Sequence, residues 1–424
     1  MKPIFCSVTW NGYQNSFWQT LSKDLDPAGQ FYIDIARRLN PNRLISRCSA
    51  EWSIPFEQQV WPDMDMPAYD SAFNKTFADI TEQRALEIKS RINNNNERFA
   101  VMYSGGIDST VITTALLKNL TQREKKNLVI CASAASAVNN PVFWTKFIVG
   151  KLTVIDSIST KYDDLIEQGL IPITGDTGDC LFGTTFASHL YYNWRSYTGN
   201  LSSLSANELE KKIQYFTNPE IHYSKFKDLL INYFKIPKKQ GFPFYPLERP
   251  NPAFAETLYN KLDLHAQTSP VEIRSLHDFF WWYIFNLKYV NCAVRGHIYY
   301  NDRVGIRQAN ETIVNWYHTT DYQQWSMVNN NNGTKIGITA ATYKKVARDY
   351  IFDFDHNPWY QHFKLKIENV GLMFNKQAVE HLPVPERPNA RFGVTDDYQL
   401  LSIDQPGVQE YIRNSLVNYK IDWQ

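Results

Sequence analysis

Tyr103-Ser104-Gly105-Gly106-Ile107-Asp108-Ser109-Thr110 follows a short apolar run, Phe99 to Tyr103, and opens a segment of helical spacing, Ser109 to Leu120. A buried strand, a tight glycine turn and an amphipathic helix form the unit from which parallel sheets wrapped by helices are built. Two adjacent glycines let the backbone turn sharply and approach a ligand, and the amides at the start of the helix then converge on one spot that favours an anion. Ser104, Ser109 and Thr110 add hydroxyl donors. Asp108 puts a carboxylate where positive charge would be expected, which makes sense if a divalent cation lies between it and phosphate oxygens, Mg²⁺ being the natural choice. The plainer reading is a Gly-Gly turn capped by Ser and Asp. Several specified positions in the correct strand-to-helix setting favour a phosphate loop over it. The lysine-based loop G-x-x-x-x-G-K-[ST] is absent.

Outward from this loop the pattern alternates. Leu128 to Ala132 reads as a strand, Phe143 to Gly150 as helical, Leu152 to Ile155 as a strand, Asp163 to Gln168 as helical and Leu170 to Ile173 as a strand. The expected fold class is α/β: a parallel twisted sheet with flanking helices. After Gly183 the chain becomes mostly helical and aromatic, with Leu230 to Phe234, Ala253 to Leu262 and Leu276 to Val290 as the clearer segments of a helical lobe. On the amino-terminal side, a helix is expected from Ala72 to Arg91, broken by the run Asn93 to Asn96. A second run, Asn329 to Asn332 before Gly333, predicts an exposed turn. Three regions result: residues 1–90 with scattered aromatics (Trp10, Phe17, Trp18, Trp52, Trp61), a domain over 91–370, and an irregular tail over 371–424.

The chain has 424 residues, and 44 Lys and Arg stand against 43 Asp and Glu, so no strongly basic surface is available for nucleic acid or an anionic membrane. With 43% apolar residues a large core can form, and disorder is excluded. Cys6, Cys48, Cys131, Cys180 and Cys292 form no C-x-x-C, which fits reduced thiols in a cytoplasmic protein better than a disulfide framework or a thiolate zinc site. No amino-terminal targeting segment is expected. The strongest apolar run, Phe279 to Phe285, is far shorter than the ~20 residues a membrane helix needs.

About 70 residues beyond the first loop comes Thr174-Gly175-Asp176-Thr177-Gly178-Asp179-Cys180-Leu181-Phe182-Gly183, again just past an apolar strand. Two intervening strand-helix units would return it to the same carboxyl edge of the sheet, facing one crevice. Asp176 and Asp179 could then hold magnesium together with Asp108, or accept protons from an attacking amine. A purely structural Gly-Asp turn is the plain alternative. A third feature is Lys344 with Arg348, four residues apart on one helical face, where a solvated basic face is the plain alternative.

The first loop resembles the pyrophosphate loop of the N-type ATP pyrophosphatases, which cleave ATP to AMP and pyrophosphate. Taken with Gly-Asp-x-Gly-Asp-x-Leu-Phe-Gly, it resembles the synthetase domain of the asparagine synthetases and their relatives, the β-lactam synthetases. The resemblance spans roughly residues 95–350. It implies an amide-forming ligase that uses ATP and Mg²⁺ to activate a small-molecule carboxylate as an acyl-adenylate for attack by ammonia or another amine. Ser104, Gly105, Gly106, Asp108, Ser109, Thr110 and Gly175 would bind ATP and its pyrophosphate. Asp108 and Asp179 would hold the metal, and Lys344, Asp176 and Arg348 would be catalytic, the lysine because a fixed cation offsets charge building on the α-phosphate and departing pyrophosphate. Cys180 departs from the family, which commonly has Glu there. The glutamine-hydrolysing members begin with a processed Cys, whereas position 2 here is Lys, so nitrogen is expected from elsewhere, such as a separate glutaminase subunit.

Two other readings keep the loop: a pyrophosphatase that modifies a nucleobase or tRNA, with Cys131 and Cys180 as sulfur carriers, and a non-catalytic relic of the fold. The cysteines are expected to be small buried hydrophobes. The aromatic run from Phe279 to Phe285 is read as core, and His277 and His297 as structural or surface groups. Arg295, Asp302 and Arg303 could reach a carboxylate, surface ion pairing being the default.

Overall fold

In a computed structural model, residues 66–183, 218–228, 252–293, 312–330 and 344–357 are described, less a few positions inside those ranges, together with Arg47. The expectations for Trp10, Phe17, Trp18, Trp52, Trp61, Cys6, Cys48, Leu230 to Phe234, Arg295, His297, Asp302, Arg303, Asn331 to Gly333 and the tail fall outside them. The chain divides into two compact units, one comprising Lys75–Asp176, Gly296–Tyr317 and Ala341–Gln424, the other Met1–Asn74, Thr177–Arg295 and His318–Ala340.

The first unit holds a five-stranded parallel sheet built from β1 (Arg98–Met102), β2 (Leu128–Ala132), β3 (Thr153–Asp156), β4 (Leu170–Thr174) and β5 (Val314–Asn315), in the order β3-β2-β1-β4-β5. The expected α/β class with flanking helices is therefore present. Strands buried on both faces read as unbroken apolar runs, and every residue of β2 is buried. Strand β5 has only two residues and gave no readable pattern. Its partner β4 carries Pro172, which lacks a backbone donor, and β5 pairs only with Ile173 and Thr174 beyond it.

Helix α1 (Phe77–Asn95) begins five residues after the expected start, because Thr76 and Asp79 form a reciprocal capping box. The asparagine run does not break it as early as expected. Asn93 to Asn95 complete the last turn, and Asn96, at φ 53°, ends the helix in the left-handed conformation that Asn tolerates. Helix α2 (Ile107–Asn119) follows the glycine loop, and it is not amphipathic as the sequence suggested. Its residues from Ile107 to Leu117, Asp108 apart, are all buried, because it packs against α1 as well as the later helix α10 (Lys345–Asp355). Between β2 and β3 lie α3 (Ala134–Asn139) and α4 (Pro141–Phe143), the latter running into a π-helical turn, Trp144–Ile148; α5 (Tyr162–Glu167) joins β3 to β4.

The second unit is helical where described: α6 (Gly178–Phe182), α7 (Pro252–Gln267), α8 (Leu276–Trp282), which continues as a π-helical turn Tyr283–Lys288, and α9 (Thr320–Val328). The aromatic run is core, as expected, with Phe279 to Phe285 all buried. Gly183, at φ +70°, lies so close to α8 that a Cβ there would stand 2.4 Å from the Trp281 Cα. His277 is buried, consistent with a structural part, and burial alone drives His265 down to about 3, leaving it neutral. The second asparagine run is not an exposed turn in its described part: Asn329 caps α9 and Asn330 is buried. Among the described residues no helix is long and apolar enough to cross a membrane.

Candidate functional site

The sheet order sets the place. From β1 the chain moves outward to β2 and β3 and then returns to the other side of β1 as β4. The carboxyl ends of β1 and β4 therefore flank the topological switch point, the place at which parallel α/β sheets bind ligands. The loop after β1 is Tyr103 to Gly106, and the one after β4 begins Gly175-Asp176. Those two motifs meet at a definite contact: a Cβ on Gly175 would lie 3.1 Å from Ile112 Cδ1, 3.4 Å from Asp108 Cβ and 3.5 Å from Tyr317 Cε2.

The glycine loop is held in place by α3 and by its own hydroxyls. Gly105 has φ +70°, and a Cβ there would fall 2.1 Å from the Ser136 carbonyl oxygen, so both the backbone shape and the close approach of α3 require glycine. Asn139 of α3 donates to the Ser104 carbonyl at 3.0 Å. Ser109 accepts from the Ser104 amide at 3.2 Å and donates to the Gly106 carbonyl at 3.1 Å. Thr110, wholly buried, donates to the same carbonyl at 2.8 Å and accepts from Asn140 at 3.2 Å. The hydroxyls of Ser109 and Thr110, expected to face an anion, are thus engaged in shaping the turn, and that of Ser104, an exposed residue, takes part as well, accepting from the Gly106 amide at 3.2 Å and lying 3.1 Å from Ser109 Oγ. Gly106, the N-cap of α2, offers no side chain to the first-turn amides. Helix amides without a cap, at the positive end of a 13-residue helix, are the donor set an anion needs.

Lys344 joins this loop from the far end of the sequence. It is the N-cap of α10, at φ 56°, and only 2% exposed, with its ammonium donating to both carboxylate oxygens of Asp108. A buried ammonium requires such a partner. Arg348, four residues on, is 1% exposed. The plain alternative of a solvated basic face is thereby set aside for this pair, and Lys345, half-exposed and paired with Asp349, is the solvated lysine of the segment. Two groups were not foreseen. Tyr317, just after β5, donates its hydroxyl to the Asp108 carbonyl at 2.9 Å, and Asn139 clasps the loop. Neither lies in a motif; β5 was invisible, so nothing in the sequence could aim Tyr317 at Asp108.

Asp176 sits at the mouth of β4, half-buried, its amide donating to the Thr174 hydroxyl at 3.3 Å. Asp179 is three residues further on, in the first turn of α6, within the helical unit. Among the described residues no three His, Cys, Asp or Glu side chains gather as a metal site. Mg²⁺ needs no such cage, because it is commonly held by one or two carboxylates with substrate phosphates and water. The uncapped amides and Ser104 fit a polyphosphate, and Asp108 offers one carboxylate for its cation in competition with Lys344.

Cys131, at the carboxyl end of β2, is buried, and that burial, with Asp156 nearby, pushes its thiol up to about 12. Such a thiol is not a nucleophile at neutral pH, which agrees with the plain reading. Cys180 and Cys292 are likewise buried. No protein-family model, curated protein or solved structure matches the chain.

Proposed function

We propose that the protein is an ATP-dependent, AMP-forming carbon-nitrogen ligase of the asparagine synthetase kind, on a fold of the adenine nucleotide α-hydrolase type. The observation that carries this reading is the buried Lys344 ammonium on Asp108, in the first turn after an uncapped glycine loop at the sheet's switch point. A cation fixed beside an anion cradle is what cleavage between the α- and β-phosphorus of a nucleotide requires.

In this reading the uncapped amides at the start of α2 hold the pyrophosphate part of ATP, with the Ser104 hydroxyl beside them. Asp108 would carry the Mg²⁺ that accompanies it, which supplies charge neutralisation when bound. Lys344 and Arg348 oppose the negative charge that grows as a carboxylate oxygen attacks the α-phosphorus and pyrophosphate leaves. An amine then attacks the acyl carbon, AMP departs, and Asp176 takes the proton the amine sheds. Asp179 enters as a metal ligand through the resemblance alone. The acceptor is a small carboxylate, aspartate with ammonia being one candidate pair, and the nitrogen comes from free ammonia, an amine or a separate glutaminase subunit. A cytoplasmic location accords with the ATP supply.

The test is carboxylate-dependent exchange of labelled pyrophosphate into ATP, screened over amino acids and other carboxylates. Asp108→Ala is expected to abolish the exchange. Undiminished exchange in that variant, or none by the wild-type protein with any carboxylate, refutes the proposal.

A further inference from the structure

The second motif is joined to a polar network that reaches back to Arg47. Tyr289 is wholly buried, and its hydroxyl is bonded both to His318 Nδ1, at 2.9 Å, and to the Thr177 side chain. Burial raises this phenol well above the ordinary range, so it keeps its proton and remains available as a donor. Thr177 is the residue from which α6 starts: the Cys180 amide donates to its carbonyl at 3.0 Å. The far end of α6 is equally fixed, since the Leu181 carbonyl accepts from Ser326 at 2.6 Å, which in turn accepts from the Trp281 indole at 2.9 Å.

Arg47 lies on the other side of Tyr289. Its guanidinium carbon sits 3.9 Å from the centroid of the Tyr289 ring and 5.5 Å from that of Phe285. The same guanidinium donates to the Phe285 carbonyl at 3.3 Å and to the Gln323 side chain, while the Arg47 amide donates to Asn286 at 2.6 Å. Three separate hydrogen bonds and a stacked ring fix this arginine against Tyr289 and its neighbours. A planar guanidinium is the cationic side chain that can stack and bond at once.

We propose that Arg47, which lies outside the region of family resemblance, is a positioning residue for the second acidic motif: it clamps Tyr289, whose hydroxyl fixes Thr177 and thereby the turn that carries Asp179. The amino-terminal region then has a task in the chemistry, since the orientation of the Asp179 carboxylate depends on it. This role rests on the ligase reading, whereas the physical coupling from Arg47 to α6 does not.

Hydrogen exchange on the full-length protein tests the coupling. In Arg47→Met, amides of the 174–183 peptide are expected to exchange about tenfold faster, with the 103–110 peptide unchanged. Tyr289→Phe, which removes only the hydroxyl, is expected to give the same local change and decides the matter if Arg47→Met does not fold. In turnover, with kcat referred to the concentration of folded, ATP-binding protein so that a lost folded fraction cannot imitate the effect, either variant is expected to lower kcat about tenfold while KM for ATP stays within about twofold. Wild-type exchange over 174–183 in both variants overturns the proposal. So does faster exchange accompanied by unchanged kcat. Should the wild-type protein show no pyrophosphate exchange, the ligase reading fails and the amide measurement still decides the coupling.

Discussion

Lys344 combines two costs in one residue. Its φ of 56° is a left-handed backbone that costs a side-chain-bearing residue about 1 kcal/mol or more, and its ammonium is withdrawn from water onto Asp108. Strain of this kind persists where the surroundings over-determine it. Substituting glycine relieves the backbone while deleting the cation; alanine deletes the cation and keeps the strain. Lys344→Gly is therefore expected to be more stable than Lys344→Ala by about 1 kcal/mol in urea unfolding, with both variants inactive in pyrophosphate exchange. Equal stabilities would mean that the helix begins without the left-handed turn. Residue types and spacing made Lys344 and Arg348 visible in the sequence. Their burial was not visible, because it depends on α10 packing against α2, more than 200 residues away.

Elements show the same division between local and distant causes. The turn before β2 is organised by Glu124, whose carboxylate accepts from the Thr121 amide at 2.7 Å, the Thr121 hydroxyl at 2.9 Å and Asn93 of α1 at 2.7 Å. The Thr121 amide, then Asn93, hold this carboxyl down to about 2, against an ordinary value of 4.5. A depressed carboxyl stabilises the fold above its unfolded pKa and loses that contribution as pH falls through the folded one. Glu124→Gln is thus expected to lower the melting temperature at pH 7, with the gap to wild type closing as pH drops from about 4.5 towards 2. Thermal melts across that range check it, and a gap independent of pH would dismiss the carboxylate as the cause. Strands β1, β2 and β4 were legible because burial writes them as apolar runs, and the edge strand β3, with Thr153 exposed, was legible from Val154 and Ile155. The start of α1 was missed because Thr76 and Asp79 were not recognised as a capping box, and the two residues of β5 are too few to carry a period. Asn93, read as a helix breaker, serves instead as a tie between α1 and the turn of Glu124.

At the scale of the molecule, the sheet unit is assembled from stretches interrupted twice by the helical unit. Strand β5 covers the outer edge of β4, and α10 covers α2, yet both come from beyond residue 310. A fragment of residues 75–176 holds four of the five strands, the whole first glycine motif and the start of the second, but it leaves α2 without α10 and Asp108 without Lys344. It is expected to show no cooperative thermal transition by circular dichroism, while the full chain does; a sharp transition in the fragment would show that β5 and α10 are dispensable. Sequence alone gave the alternation and the two loops, whereas the interleaving of the units could not be read, since nothing local marks which later segment returns to the sheet. In a parallel sheet one rim does all the ligand handling, and the opposite rim is idle. Gly150 and Gly169, at φ +71° and +70°, turn the chain just before β3 and β4 on that idle rim, each facing open space where a side chain would stand. A side chain at either corner would meet no neighbour yet would strain the left-handed backbone, so an epitope or extra loop grafted on that rim has to keep the two glycines.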